Sequence, residues 1–244
     1  MIRFLAVSAF VILFLICSIP LLIIEWIIGK FNMDLKNRSS LAIVKWAFRC
    51  CLFLSGASWT VLGEENVPKD RAVLYVANHR SYFDILLTYI RVPRPTGYVA
   101  KAEMLKAPLL VNWMKNLHCL FLDRNDLKAG LKTILTGAEE VKKGISICIF
   151  PEGTRNKDKD HFLPFHAGSF KIAEKSGCPV VPIAIVNSSA IWEDQFPKMK
   201  SAHVVLEYGA PIFVEELPKA DRKKLAQLVE ERIAEMYQKN RSLV

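Results

Sequence analysis

Residues 72–84 read AVLYVANHRSYFD: six apolar or small positions in a row, then Asn78 and His79, then a polar stretch closed by Asp84. An unbroken apolar run of this length, bounded by polar residues, is the pattern of a strand buried on both faces. Such strands belong to mainly parallel sheets sandwiched between helices. The pattern recurs over 96–100, 117–122, 145–150, 180–186 and 202–208. Amphipathic stretches between these runs predict helices over 82–91, 104–116, 126–142, 166–176 and 221–239. The last of them puts Leu225, Leu228, Val229, Ile233 and Met236 on one stripe. Gly144 and Gly177 stand where helix C-caps are expected. The reading is an α/β fold over 65–244, a mainly parallel or mixed sheet covered by helices on both faces.

Residues 1–64 differ in character. From Phe4 to Ile24 no charge occurs in 21 residues, and one helix of that length is about 31 Å, the thickness of a bilayer core. A secretory signal would have a shorter apolar stretch and a small-residue cleavage site; here the run continues into EWIIGKF, so a retained membrane helix is expected. Pro20 offers a kink, which leaves open whether the helix spans or re-enters. Over 41–63, LAIVKWAFRCCLFLSGASWTVLG, Lys45 and Arg49 share a helical face, and with Trp46 and Trp59 they suit a helix lying at the membrane surface. Residues 1–64 are therefore read as an N-terminal membrane anchor with an interfacial helix.

Lys and Arg number 33 against 24 Asp and Glu, a net charge of +9. Nucleic acid is not the expected partner, because no recognition helix or aromatic–basic interleaving accompanies the charge. An anchored protein with this balance faces anionic lipid or acidic substrates. The six cysteines show no metal-ligand spacing. Cys119, Cys148 and Cys178 fall in strands as small buried residues, which favours a reducing compartment and a domain on the cytoplasmic face.

Chemistry in open α/β sheets sits beyond the carboxyl ends of the strands. His79 is there, after 72–77. Asp84 has two readings: the acid of an S-x-x-D capping box that begins at Ser81, or the carboxylate that orients the His79 imidazole. No G-x-S-x-G elbow supplies a protein nucleophile, so a His–Asp pair points to a substrate alcohol as the attacking group, with His79 as general base. A second constellation, FPEGTR at 150–155, follows another strand. Arg155 carries the planar fork suited to phosphate, while an ordinary polar loop explains the stretch equally well. Lys101 and Arg124 follow two further strands, so three cations share one sheet edge. The remaining histidines form no compact metal motif, and His118 and His203 read as structural residues.

Taken together, NHRSYFD and FPEGTR resemble the signature blocks of the membrane-bound glycerolipid acyltransferases, in particular the 1-acyl-sn-glycerol-3-phosphate acyltransferases. The stretch KAEMLKAPLLVNWMKNLHCLFLDR at 101–124 and VVPIAI at 180–185 look like the two further blocks, in the family's order. Departures are Asn112 and the surroundings of His118, where glycine is usual, and Asn156, where serine is common. The resemblance implies His79 and Asp84 as the catalytic pair. It implies that Lys101, Arg124, Glu152, Gly153, Thr154 and Arg155 bind the acceptor's glycerol phosphate. The implied reaction moves an acyl chain from acyl-CoA or acyl-ACP to the sn-2 hydroxyl of lysophosphatidic acid, giving phosphatidic acid without cofactor or metal. Another lysophospholipid or glycerol 3-phosphate is the alternative acceptor, and a non-catalytic lipid-binding protein is the alternative outside enzymes.

Overall fold

Seven strands form one sheet in the computed structural model, which describes residues 1–244. They are β1 (Ser58–Leu62), β2 (Leu74–Ala77), β3 (Thr96–Lys101), β4 (Leu120–Leu122), β5 (Ser146–Ile149), β6 (Val180–Val186) and β7 (His203–Tyr208). Their spatial order is β1-β7-β6-β2-β5-β3-β4. Every pairing is parallel except β6 with β7, so the sheet is mixed at one side only. Strands β2, β5 and β6 are buried at every position, which explains why they read as unbroken apolar runs.

The helices are α1 (Ile2–Cys17), α2 (Ile19–Phe31), α3 (Met33–Ser55), α4 (Phe83–Tyr89), α5 (Leu110–Asn116), α6 (Leu127–Lys142), α7 (Lys171–Ser176), α8 (Lys219–Arg222) and α9 (Leu225–Asn240). Alternate residues of β2, with Val73 just before it, feed two separate cores. Val73, Tyr75 and Ala77 meet α3, α4 and α5 residues such as Leu52, Leu87 and Trp113 on one face. Leu74 and Val76 meet Ile134 of α6, Ile172 of α7 and Val229 of α9 on the other. The sheet is thus covered on both faces. The chain reverses direction at β2: β3 and β4 lie to one side, β6 to the other, and β5 returns to pair with β2. That is the switch point at which α/β sheets open a crevice.

The N-terminal region departs from its sequence reading in three respects. First, the expected helix over 4–24 is broken at Ser18, where α1 and α2 meet at a 48° bend. Pro20 opens α2 without a backbone N–H to give, and Ser18 Oγ turns back to donate to the Leu15 carbonyl at 3.0 Å while accepting from Trp113 Nε1 at 2.9 Å. No single helix is long and apolar enough to cross a membrane; only the bent pair taken together matches a span, by length and composition alone. Second, the interfacial helix expected over 41–63 begins earlier, at Met33, capped by Asn32, and stops at Gly56 with φ 73°. Lys45 points into the α/β unit, where its Nζ donates to the Val92 carbonyl at 3.0 Å, not out to lipid. Third, residues 58–62 are a strand, β1, added beside β7 and tied to it by His203, whose two ring nitrogens bond Ser58 Oγ and Thr60 Oγ1.

Glu25 of α2 is buried against α3 and accepts from the hydroxyls of Ser39 and Ser40, both at 2.9 Å. The outward side of α1 and α2 stays apolar and exposed, with Leu5, Ile12, Ile16, Ile23, Trp26 and Phe31 uncovered. An apolar groove of about 550 Å³ between α1 and α3, lined among others by Phe14 and Trp46, continues that surface. Uncovered apolar area on this scale marks a binding surface in a folded protein.

Candidate active site

Asn78 ends β2 by imitating one more strand residue. Its side-chain amide donates to the Ile185 carbonyl at 2.9 Å and its oxygen accepts from the Ile185 N–H at 2.8 Å, so β2 and β6 stay joined while the backbone turns away. The turn puts His79 at the crevice mouth. Its Nδ1 lies 2.9 Å from Asp84 Oδ2, with side-chain exposures of 14% and 0%. A buried carboxylate accepts, so Nδ1 carries the proton and Nε2 is the ring nitrogen left free.

The same Asp84 Oδ2 also accepts from the backbone N–H groups of Arg80 (2.7 Å) and Ser81 (2.8 Å). The two readings of Asp84 are therefore one arrangement: the acid in the first turn of α4 that accepts from the N–H groups leading into it is the acid that holds the imidazole. Below the ring lies Phe150, stacked at 4.1 Å between centroids and 19° between planes. His79 is fixed along its backbone as well. Its N–H donates to Glu152 Oε1 at 2.8 Å, and its carbonyl accepts from the Asn156 N–H at 2.7 Å.

Those two bonds join the loop after β2 to the FPEGTR loop after β5. Glu152 is turned inward and also accepts from the Leu163 N–H at 3.1 Å, so its carboxylate braces the loop and does not reach the crevice. Burial pushes its carboxyl above the usual range, opposed by the N–H groups of His79 and Leu163 and by the Arg80 guanidinium. Gly153 has φ 71°, a left-handed value that suits glycine. A Cβ added there would stand 3.3 Å from the His166 ring and 3.7 Å from Arg124 Cζ, so both side chains flank this turn. Thr154 is exposed beside it and makes no side-chain hydrogen bond.

Arg155 is 37% exposed; its Nη1 lies 3.3 Å from Glu193 Oε1, and its guanidinium packs 3.8 Å over the Tyr82 ring. Lys101 closes β3 and is exposed without an ion pair, in register with Leu122 of β4, two residues before Arg124. The cations expected from sequence thus stand at the ends of three neighbouring strands, with Arg124 beside the Gly153 turn and the Arg155 guanidinium turned onto Tyr82 and Glu193. Ser81, the nearest hydroxyl in sequence, is committed: its Oγ donates to Glu193 Oε2 at 2.6 Å and accepts from the Phe83 N–H at 3.0 Å. The buried Cys148 thiol is pushed well above its ordinary value. Neither is poised as a nucleophile.

Sequence reading missed several contributors. Phe150 and Tyr82 lie inside the quoted motifs yet received no role. Glu193 was not singled out at all. It lies 111 residues beyond Tyr82, from whose N–H it accepts at 2.8 Å, at the start of a short 3-10 turn (Glu193–Gln195) with no periodicity or motif to mark it. Trp192 beside it links the crevice to the N-terminus: Tyr82 packs on Trp192 (5.7 Å between centroids) and Trp192 on Phe4 of α1 (5.8 Å).

The family model described as Acyltransferase matches residues 58–186. A probable 1-acyl-sn-glycerol-3-phosphate acyltransferase of Mycoplasma pneumoniae is 32% identical over 168 residues, 67% of this chain and 62% of the relative. The Saccharomyces cerevisiae 1-acyl-sn-glycerol-3-phosphate acyltransferase is 28% identical over 200 residues, 79% of this chain and 66% of the relative. That of Salmonella typhimurium is 32% identical over 170 residues, 67% of each chain. The chain therefore spans a little under two thirds of the length of the first two relatives. In fold it is similar to the crystal structure of the 1-acyl-sn-glycerophosphate acyltransferase PlsC from Thermotoga maritima. The TM-score is 0.82 at 23% identity, over 97% of this chain and 94% of that one.

Proposed function

Since this chain belongs to the acyltransferase family, we propose that it transfers an acyl chain from a thioester, acyl-CoA or acyl-ACP, to the sn-2 hydroxyl of 1-acyl-sn-glycerol 3-phosphate. The carrying observation is the His79–Asp84 pair at 2.9 Å with Nε2 free and no protein nucleophile beside it. In this reading Nε2 takes the hydroxyl proton as that oxygen bonds to the thioester carbonyl carbon. Asp84 stabilises the imidazolium so formed. Collapse of the tetrahedral intermediate breaks the C–S bond, the imidazolium returns its proton to the leaving thiolate, and phosphatidic acid and a free thiol remain.

Arg155 and Arg124, with Lys101, bind the acceptor phosphate, with Gly153 and Thr154 forming the turn between them and Glu152 bracing it from below. The relatives' printed names favour lysophosphatidic acid over other lysophospholipids or glycerol 3-phosphate. The exposed apolar side of α1 and α2 supports a membrane-associated enzyme that meets a lipid acceptor without extracting it into water. We assign residues 1–64 to that attachment, with β1 taking part in the sheet, and 65–244 to catalysis on the cytoplasmic face.

The test is thiol release by the purified full chain in lipid, from acyl-CoA and from acyl-ACP, against a panel of acceptors. Release that requires lysophosphatidic acid is expected, and His79→Ala should lower kcat roughly 10²–10⁴-fold. Equal release without acceptor would establish a thioesterase instead; no release with either donor would leave a lipid-binding protein.

A further inference from the structure

Arg155 is not a free surface cation. Its guanidinium is held at two points, by the Tyr82 ring at 3.8 Å and by Glu193 at 3.3 Å through Nη1 alone. Glu193 is itself fixed. Its Oε2 accepts from Ser81 Oγ at 2.6 Å, its Oε1 from the Tyr82 N–H at 2.8 Å, and its side chain is 20% exposed. Ser81 and Tyr82 are the second and third residues after His79. One carboxylate therefore ties the cation of the FPEGTR loop to the loop that carries the candidate base.

We propose that Glu193 is a positioning residue for acceptor specificity, holding the Arg155 fork so that its remaining N–H groups face the phosphate of a phosphomonoester acceptor. The inference rests on the reading of Arg155 as a phosphate ligand. An arginine presents five donors in a rigid plane, and Glu193 occupies one end of it, leaving the other for a bidentate contact. A long side chain already confined loses less freedom when the ligand arrives, so the gain appears as affinity for the acceptor. The link through Ser81 and Tyr82 also sets the spacing between base and phosphate, which places the sn-2 hydroxyl of a correctly seated acceptor at Nε2.

A rival role has the opposite sign: a carboxylate that competes with phosphate for Arg155 would weaken binding. Glu193→Gln separates the two, because it keeps an oxygen for the Tyr82 N–H and an amide for Ser81 Oγ while removing the charge. Steady-state kinetics of the full chain in lipid should show KM for 1-acyl-sn-glycerol 3-phosphate raised roughly tenfold, the scale of one charge-assisted contact. The acyl-donor KM and the pH profile of kcat should stay in place, and kcat should stay within about twofold. In an Arg155→Ala background the same substitution should change nothing further. A lowered KM, a fall in kcat at constant KM, or independent effects in the double variant overturns the proposal. Tyr82→Leu removes the other support and keeps the test decisive if Glu193→Gln yields little folded protein: it too should raise the acceptor KM, and an unchanged value counts against the idea. If Arg155→Ala alone leaves the acceptor KM unaltered, the phosphate assignment fails first, and that result is seen without any Glu193 variant.

Discussion

At the scale of single residues, Asp84 concentrates three hydrogen bonds on one oxygen, while its Oδ1 is buried without a partner. Asp84→Asn is therefore informative. An asparagine oxygen can still accept from Arg80, Ser81 and His79, so the turn into α4 survives; the negative charge beside the imidazolium does not. We expect a drop in kcat of roughly 10²-fold or more, with the melting temperature changed far less than by Asp84→Ala, which also leaves the two backbone N–H groups unpaired. Circular dichroism melts run beside kinetics check this. Parallel losses of stability and activity in the asparagine variant would mean that the carboxylate is only a cap. His79→Ala leaves Asp84 its two backbone donors, so that variant should fold and fail in chemistry alone.

At the scale of elements, His118 shows how a connection is secured. It lies just before β4 at φ 58°, with Nδ1 bonded to Glu140 of α6 at 2.8 Å and Nε2 to Asn37 of α3 at 3.0 Å. Burial lowers its pKa below the ordinary 6.5 and outweighs the Glu140 carboxylate, which acts to raise it. The unfolded chain then takes up the proton at higher pH than the folded one. Stability from this site is complete above about pH 6.5 and is lost as pH falls through the depressed value. Thermal melts between about pH 7.5 and 5 should show that decline, and His118→Asn, which tolerates the left-handed backbone, should flatten it. The strands were legible because burial on both faces leaves an unbroken apolar run, and His79 and Asp84 because the turn between them is local. Strand β1 was not: SWTVL follows an apolar helix, and only its pairing with β7 distinguishes it from more helix. The break at Ser18 was half legible, through Pro20, but Trp113 completes it from 95 residues away. Glu193 was invisible for the same reason: its partners are assembled by the sheet, not by neighbours in the chain.

For the whole molecule, the N-terminal helices are structural as well as apolar. Val7, Leu41, Val44 and Leu52 belong to the same core as Tyr75 and Tyr98, while Ile12, Ile16 and Ile23 point outward and exposed. Ile12→Asp with Ile23→Asp should therefore abolish co-sedimentation with anionic lipid vesicles and leave the melting profile nearly unchanged, because surface substitutions rarely cost much. The aromatic column from Phe4 through Trp192 to Tyr82 carries a further consequence. Phe4→Ala would leave the rest of α1 and its core contacts in place yet remove the prop behind the arginine clamp. Tethering and turnover should then come apart: the variant should sediment with vesicles like the parent while its KM for the proposed acceptor rises.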